Sequence, residues 1–134
     1  MSDMFTNFEI KNEQINALSP VALAFIGDSV YDLFVRTDIV SKNNLPISKL
    51  HRLSSSHVNS SAQSKSFFKI EDQLSEDELH IYKRGRNAKS MVPKNADVSE
   101  YRTATGLEAL IGYIYLKKDE KRLIEIMNLI LEVE

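Results

Sequence analysis

Apolar positions along this chain recur three and four residues apart, with few β-branched alternating runs and no strong hairpin signal. The pattern predicts a protein that is helical almost throughout. Ser19-Pro20 starts the first long helix, with a capping hydroxyl followed by proline in the first turn, and Leu23, Ile26, Val30, Leu33 and Phe34 carry it to about Val40. Lys42 to Leu45 is a predicted turn. Pro46 opens a second helix bearing Ile47, Leu50, Leu53, Val58 and Ala62, and the run Ser54-Ser55-Ser56 is expected to make it irregular near its middle. Ser75 to Glu78 has capping-box spacing. The short helix it starts, through Leu79, Ile81 and Tyr82, is expected to stop at Gly85 with Lys83 and Arg84 in its last turn. Arg86 to Asp97 contains Pro93 and no clear period, which predicts a loop. Asp97 or Ser99 then caps a long helix to about Leu116, and Asp119 caps a final helix with Leu123, Ile124, Met127, Ile130 and Leu131 on one face.

Two segments break the rule that apolar, core-facing helices exclude both glycine and acids. One is Ala22-Leu-Ala-Phe-Ile-Gly27-Asp28-Ser-Val-Tyr31, and the other is Gly106-Leu-Glu108-Ala-Leu-Ile-Gly112-Tyr-Ile-Tyr115. Glycine costs roughly 1 kcal/mol relative to alanine in a helix interior, and an unpaired buried carboxylate costs far more. Glu108 and Gly112 share a helix face, and Asp28 follows Gly27 directly. Helices crossing at these glycines would bring the two carboxylates within bridging distance of one cation. Mg²⁺ takes oxygen ligands and keeps several waters, so two carboxylates plus a substrate phosphate make a plausible shell. Asp32, one turn beyond Asp28, is a candidate third ligand; its alternative is an ion pair with Arg36 at i+4.

The length of 134 residues predicts one domain spanning 1–134, with 1–15 a peripheral N-terminal segment. The absence of cysteine excludes disulfides and thiolate metal sites and suits a reducing cytoplasm. No apolar run approaches the roughly 20 residues of a membrane span, and the N-terminus lacks the basic start and apolar stretch of a secretion signal. A net charge of −2 argues against a general polyanion binder, but the distribution changes the picture. Ser41 to Ile70 has no acid and contains Lys42, Lys49, Arg52, Lys65 and Lys69 with His51 and His57; Leu79 to Ala96 has no acid and contains Lys83, Arg84, Arg86, Lys89 and Lys94. Such blocks are either solvated faces or phosphate-binding surfaces.

Leu23-Ala-Phe-Ile-Gly-Asp28-Ser-Val resembles the signature helix of the ribonuclease III family, Leu-Glu-Phe-Leu-Gly-Asp-Ala/Ser-Val/Ile. Glu108-Ala-Leu-Ile-Gly112-Tyr-Ile-Tyr-Leu116 resembles its second motif, in the family's order and at roughly its spacing. Arg84-Gly-Arg-Asn-Ala-Lys-Ser90, Pro93-Lys-Asn and Tyr101-Arg102 are similar to the compact subclass that lacks the family's double-stranded RNA-binding domain. The likeness runs from about Asn16 to Leu131. Three acids of the larger enzymes are absent, their positions being Val21, Ala24 and Thr105.

The resemblance implies an all-α endonuclease domain, homodimeric through its signature helices, which are apolar almost all round here. It implies catalysis by Asp28 and Glu108 with Mg²⁺ (Mn²⁺ able to substitute), and products bearing 5′-phosphates and 3′-hydroxyls. The implied substrate is double-stranded RNA, with maturation of the 5′ and 3′ ends of 23S ribosomal RNA precursor as the role. A large-subunit ribosomal protein presenting that precursor is a candidate partner. Arg84, Arg86, Lys89, Lys94, His51 and Arg52 are the candidate RNA contacts, since A-form duplexes are recognised through shape, phosphates and 2′-hydroxyls. Two rivals remain: a non-catalytic RNA-binding or ribosome-assembly module of the same fold, favoured by the lost acids, and a helical interaction domain whose acids pair with Arg102 or Lys94.

Overall fold

The computed structural model describes residues 8–132, and among them there is no strand. Seven helices follow in chain order: α1 Asn12–Ala17, α2 Pro20–Lys42, α3 Ile47–Val58, α4 Ser60–Ile70, α5 Glu76–Arg86, α6 Val98–Leu116 and α7 Glu120–Leu131, with a 3₁₀ turn at Glu71–Gln73. Most helix starts are closed by the side chains expected to close them. Ser19 Oγ accepts from the Ala22 N–H at 3.1 Å. Ser75 and Glu78 exchange two hydrogen bonds. Asp97, rather than Ser99, caps α6 by accepting from Glu100 N–H at 2.9 Å, and Asp119 accepts from Arg122 N–H at 3.2 Å. Each such cap is worth about 1 kcal/mol.

The central helix is α6, which packs against α2, α4, α5 and α7. From Thr103 to Gly112 only Glu108 is not buried. Tyr31 and Val35 of α2, Phe67 and Ile70 of α4, and Leu123, Ile126 and Met127 of α7 close the main core around Leu107, Leu110, Ile111 and Ile114. Phe67 stacks on Tyr82 of α5 with ring centroids 3.7 Å apart, tying α4 to α5.

Glycines set how closely the helices approach α6. A Cβ on Gly27 would lie 1.8 Å from the Glu108 carbonyl oxygen, and one on Gly112 would lie 2.0 Å from that of Leu23. Helices α2 and α6 therefore cross backbone to backbone. Gly85 makes the corresponding approach of α5 to α6, where a Cβ would meet Ala109 Cβ at 2.7 Å and Gly106 Cα at 2.9 Å.

Two sequence expectations are corrected. Gly85 does not stop α5, which runs one residue further to Arg86; it is a packing glycine in the last turn. The helix expected from Pro46 to Ala62 is two helices, broken at Asn59 and regular through Ser54–Ser56. Of the segment 1–15, residues 1–7 lie outside the described residues; the rest includes the start of α1, where Ile15 is buried.

Candidate functional site

The crossing of α2 and α6 opens at one end into a cleft of about 340 Å³. Asp28 enters it from α2, Tyr101, Thr105 and Glu108 from α6, Gln63 from α4, and Ser90 from the loop after α5. Because the glycines let the backbones touch, the Asp28 and Glu108 carboxyl groups come within hydrogen-bonding reach of each other. Burial, the hydrogen-bonding contact with Asp28 and its charge push the Glu108 carboxyl up to about 8, while the Gln63 amide pulls the other way. Neither acid has an ion-pair partner among the described residues. Arg102 and Lys94, the partners an interaction domain would need, are not in such pairs either. Two close carboxylates with no counterion and an open approach fit a divalent cation, whose charge would offset their repulsion.

Gln63 is a site residue that sequence reasoning missed. It is 3 % exposed, and its Nε2 donates to Glu108 Oε2 at 3.4 Å. Its only sequence signal is membership in the Ser, Asn, Gln and His-rich stretch Ser54–Ser64, where nothing distinguishes it from its neighbours. Ala24 and Thr105, two positions where the larger ribonuclease III enzymes carry acids, line this same cleft, as does Val21. The Thr105 hydroxyl turns away to the Tyr101 carbonyl at 3.0 Å.

The other candidates are dispersed. Asp32 does not line the cleft; it pairs with Arg36 Nε at 3.0 Å, and among the described residues no group of three acidic, histidine or cysteine side chains is arranged to hold a metal. Arg84 is half-buried and donates Nη2 to the Leu18 carbonyl at 3.4 Å, closing the end of α1. Arg86 points elsewhere, donating Nε to Asn87 Oδ1 with its guanidinium 5.7 Å from the Tyr82 ring centroid. Lys89 and Lys94 are exposed on the loop that carries Ser90 to the cleft edge. Arg52 is exposed on α3, and His51 lines a separate depression with Arg36 and Val40 where α2 meets α3.

The family model described as "Ribonuclease III domain" matches residues 21–119. The chain is 42% identical over 135 residues to the Mini-ribonuclease 3 of Clostridium tetani, covering 99% of this chain and 89% of that protein. It is 46% identical over 125 residues to the Mini-ribonuclease 3 of Thermoanaerobacter sp., covering 92% and 88%. A crystal structure of a Fusobacterium nucleatum protein superposes with a TM-score of 0.79 at 35% identity, covering 88% of this chain and 95% of that one.

Proposed function

Because the chain belongs to the ribonuclease III family and, within it, to the Mini-ribonuclease 3 group, we propose that it is a divalent-metal-dependent endoribonuclease acting on double-stranded RNA at the α2–α6 cleft. The observation that carries this reading is the Asp28–Glu108 pair, drawn together by the glycine crossing and left without a counterion among the described residues. Asp28 and Glu108 are the residues to hold the metal, Mg²⁺ in our reading with Mn²⁺ as substitute. A bound divalent ion supplies Lewis-acid polarisation of a phosphodiester and a nucleophilic water at neutral pH.

The chain's own groups do the rest. Gln63 donates to one Glu108 oxygen and so fixes which oxygen faces the cleft. Lys89 and Lys94 draw the phosphate backbone toward the cleft mouth, and Ser90 offers a hydroxyl at its rim. Phe25, 81 % exposed on α2 beside Asp28, supports a homodimer built on that helix, with one cleft per protomer. Maturation of 23S ribosomal RNA precursor in the cytoplasm, with a large-subunit ribosomal protein presenting the substrate, extends the motif resemblance and is part of the proposal. Among the described residues no helix is long and apolar enough to cross a membrane.

The test is incubation of the purified protein with duplex RNA and Mg²⁺. Asp28→Asn and Glu108→Gln should each lower the cleavage rate by about 10²-fold or more while circular dichroism stays unchanged. Cleavage that survives both changes would falsify the metal-site assignment. Absence of cleavage by the wild type, with RNA binding retained, would instead favour the non-catalytic module, a reading to which the neutral Ala24 and Thr105 in the cleft wall lend support.

A further inference from the structure

Outside the acidic cleft, a second recess of about 370 Å³ opens where the end of α5 meets the start of α6. It is lined by Arg86, Asn87, Val98, Ser99, Arg102 and Thr103. Its polar groups include two guanidiniums, a carboxamide and two hydroxyls, set at the positive end of a 19-residue helix. No acid lines it. The nearby Asp97 carboxylate is engaged on the Glu100 N–H at 2.9 Å.

Thr103 offers the recess an uncommitted hydroxyl. It is 4 % exposed, yet its hydroxyl has no hydrogen-bond partner among the described residues, whereas Thr37 and Thr105 bond back to helix carbonyls at 2.7 and 3.0 Å. Every fully enclosed side-chain nitrogen and oxygen among the described residues is hydrogen-bonded. The Thr103 oxygen is therefore not sealed in, and Thr103 lines the recess. Arg102 is exposed and in no ion pair among the described residues. Arg86 commits only Nε, to Asn87, leaving its terminal N–H groups to donate.

We propose that this recess is a phosphate-binding subsite, with Arg102 and Arg86 as the charged donors and Thr103 and Ser99 as hydroxyl donors. Arg102 lies six residues before Glu108 on α6, roughly 9 Å along the helix axis and about 120° around it, so the recess and the acid pair open on different faces of one helix. Two sources share this chemistry. One is the backbone of duplex RNA held in the cleft, an assignment that rests on the proposed nuclease function; the other is free inorganic phosphate.

The experiment has two arms, each run on wild type, Arg102→Ala and the near-isosteric Thr103→Val. In the first, inorganic phosphate is titrated while the backbone amide resonances of residues 98–103 are followed by NMR. The wild type should show saturable shifts that Arg102→Ala abolishes and Thr103→Val weakens. In the second, the affinity for a short duplex RNA is measured against salt without divalent metal. Arg102→Ala should weaken binding about tenfold and lower the salt slope by about one phosphate contact. Shifts in the first arm with an unchanged slope in the second would identify a free-anion site, still a phosphate subsite but not an RNA one. No shifts in the first arm and an unchanged slope in the second would overturn the proposal, even if the wild type cleaves duplex RNA normally. A wild type that fails to bind or cleave RNA but shows the amide shifts would sink the nuclease reading and leave the subsite standing.

Discussion

At the residue scale, the chemistry of the cleft depends on how firmly Glu108 is held. Its carboxyl is half-buried, and its one neutral hydrogen-bond donor among the described residues is Gln63, itself buried on α4. Residues that orient a metal ligand typically change metal affinity or activity by 10- to 100-fold when replaced. Gln63→Leu should therefore raise the Mg²⁺ concentration for half-maximal cleavage by about tenfold or more. An unchanged metal titration would reduce Gln63 to a packing residue. A second acid, Glu78, gives a stability prediction away from the site. The Arg122 guanidinium bonds both of its oxygens, at 2.8 and 2.7 Å, and holds its carboxyl below the usual carboxylate range. With a folded value lower than the unfolded one, the stabilisation is fully present above about pH 4.5 and is lost as pH falls through the folded value. Glu78→Gln should lower stability by about 1 kcal/mol at neutral pH. It should also flatten the acid limb of the stability curve, read from urea unfolding between pH 3 and 7. An acid limb as steep as the wild type's would show that Glu78 does not drive it.

At the element scale, the molecule is organised by close approaches to α6, and those approaches set the limits on substitution. Gly27→Ala places a methyl where the Glu108 carbonyl already sits, and Gly112→Ala does the same against Leu23. Neither obstacle is a side chain that can swing away, so each change should cost at least about 3 kcal/mol and shift the thermal midpoint far more than Ser29→Ala on the exposed face of the same helix. A loss below 1 kcal/mol would mean the helices can separate cheaply. This crossing was legible in the sequence because glycine beside an acid in an apolar helix is costly unless another backbone comes close to it. The break between α3 and α4 was not. The serine triplet looked like a poor helix run, but Ser54 and Ser56 satisfy their hydroxyls on the carbonyls of His51 and Leu53 and stay helical. Asn59 makes the break, since its amide donates back to the Ser55 carbonyl while its oxygen caps α4 at Ala62 N–H. One residue thus closes both helix ends, an arrangement that periodicity does not register. Gly85 misled for a related reason: a glycine near the end of a periodic run signals a stop and a tight packing contact equally well, and only the partner helix distinguishes them. Gln63 had no signal at all, since a buried amide and a solvated one look alike in sequence.

At the scale of the whole molecule, the outer stripe of α2 joins the cleft to the question of assembly. Val21 and Phe25 are exposed and lie on the same side of the helix as Asp28. Burying a phenylalanine that now faces water is worth about 1.5–3 kcal/mol. Two copies related by a two-fold axis along this stripe would cover both aromatics at once and set two clefts side by side, one for each strand of a duplex. The stripe turns polar toward Asp32 and Arg36, which satisfy each other, so neither of these two would enter the contact as an unpaired charge. Phe25→Asp puts a charge at the apolar end of that contact without touching the core. It should shift the sedimentation equilibrium from dimer to monomer while leaving helical content intact. If the homodimer presents both clefts to one duplex, cleavage of the two strands should become uncoupled as the dimer dissociates, and raising the variant's concentration should restore the coupling. A wild type that cleaves both strands while sedimenting as a monomer would remove the dimer from the mechanism and leave Phe25 as a candidate for contact with the duplex itself.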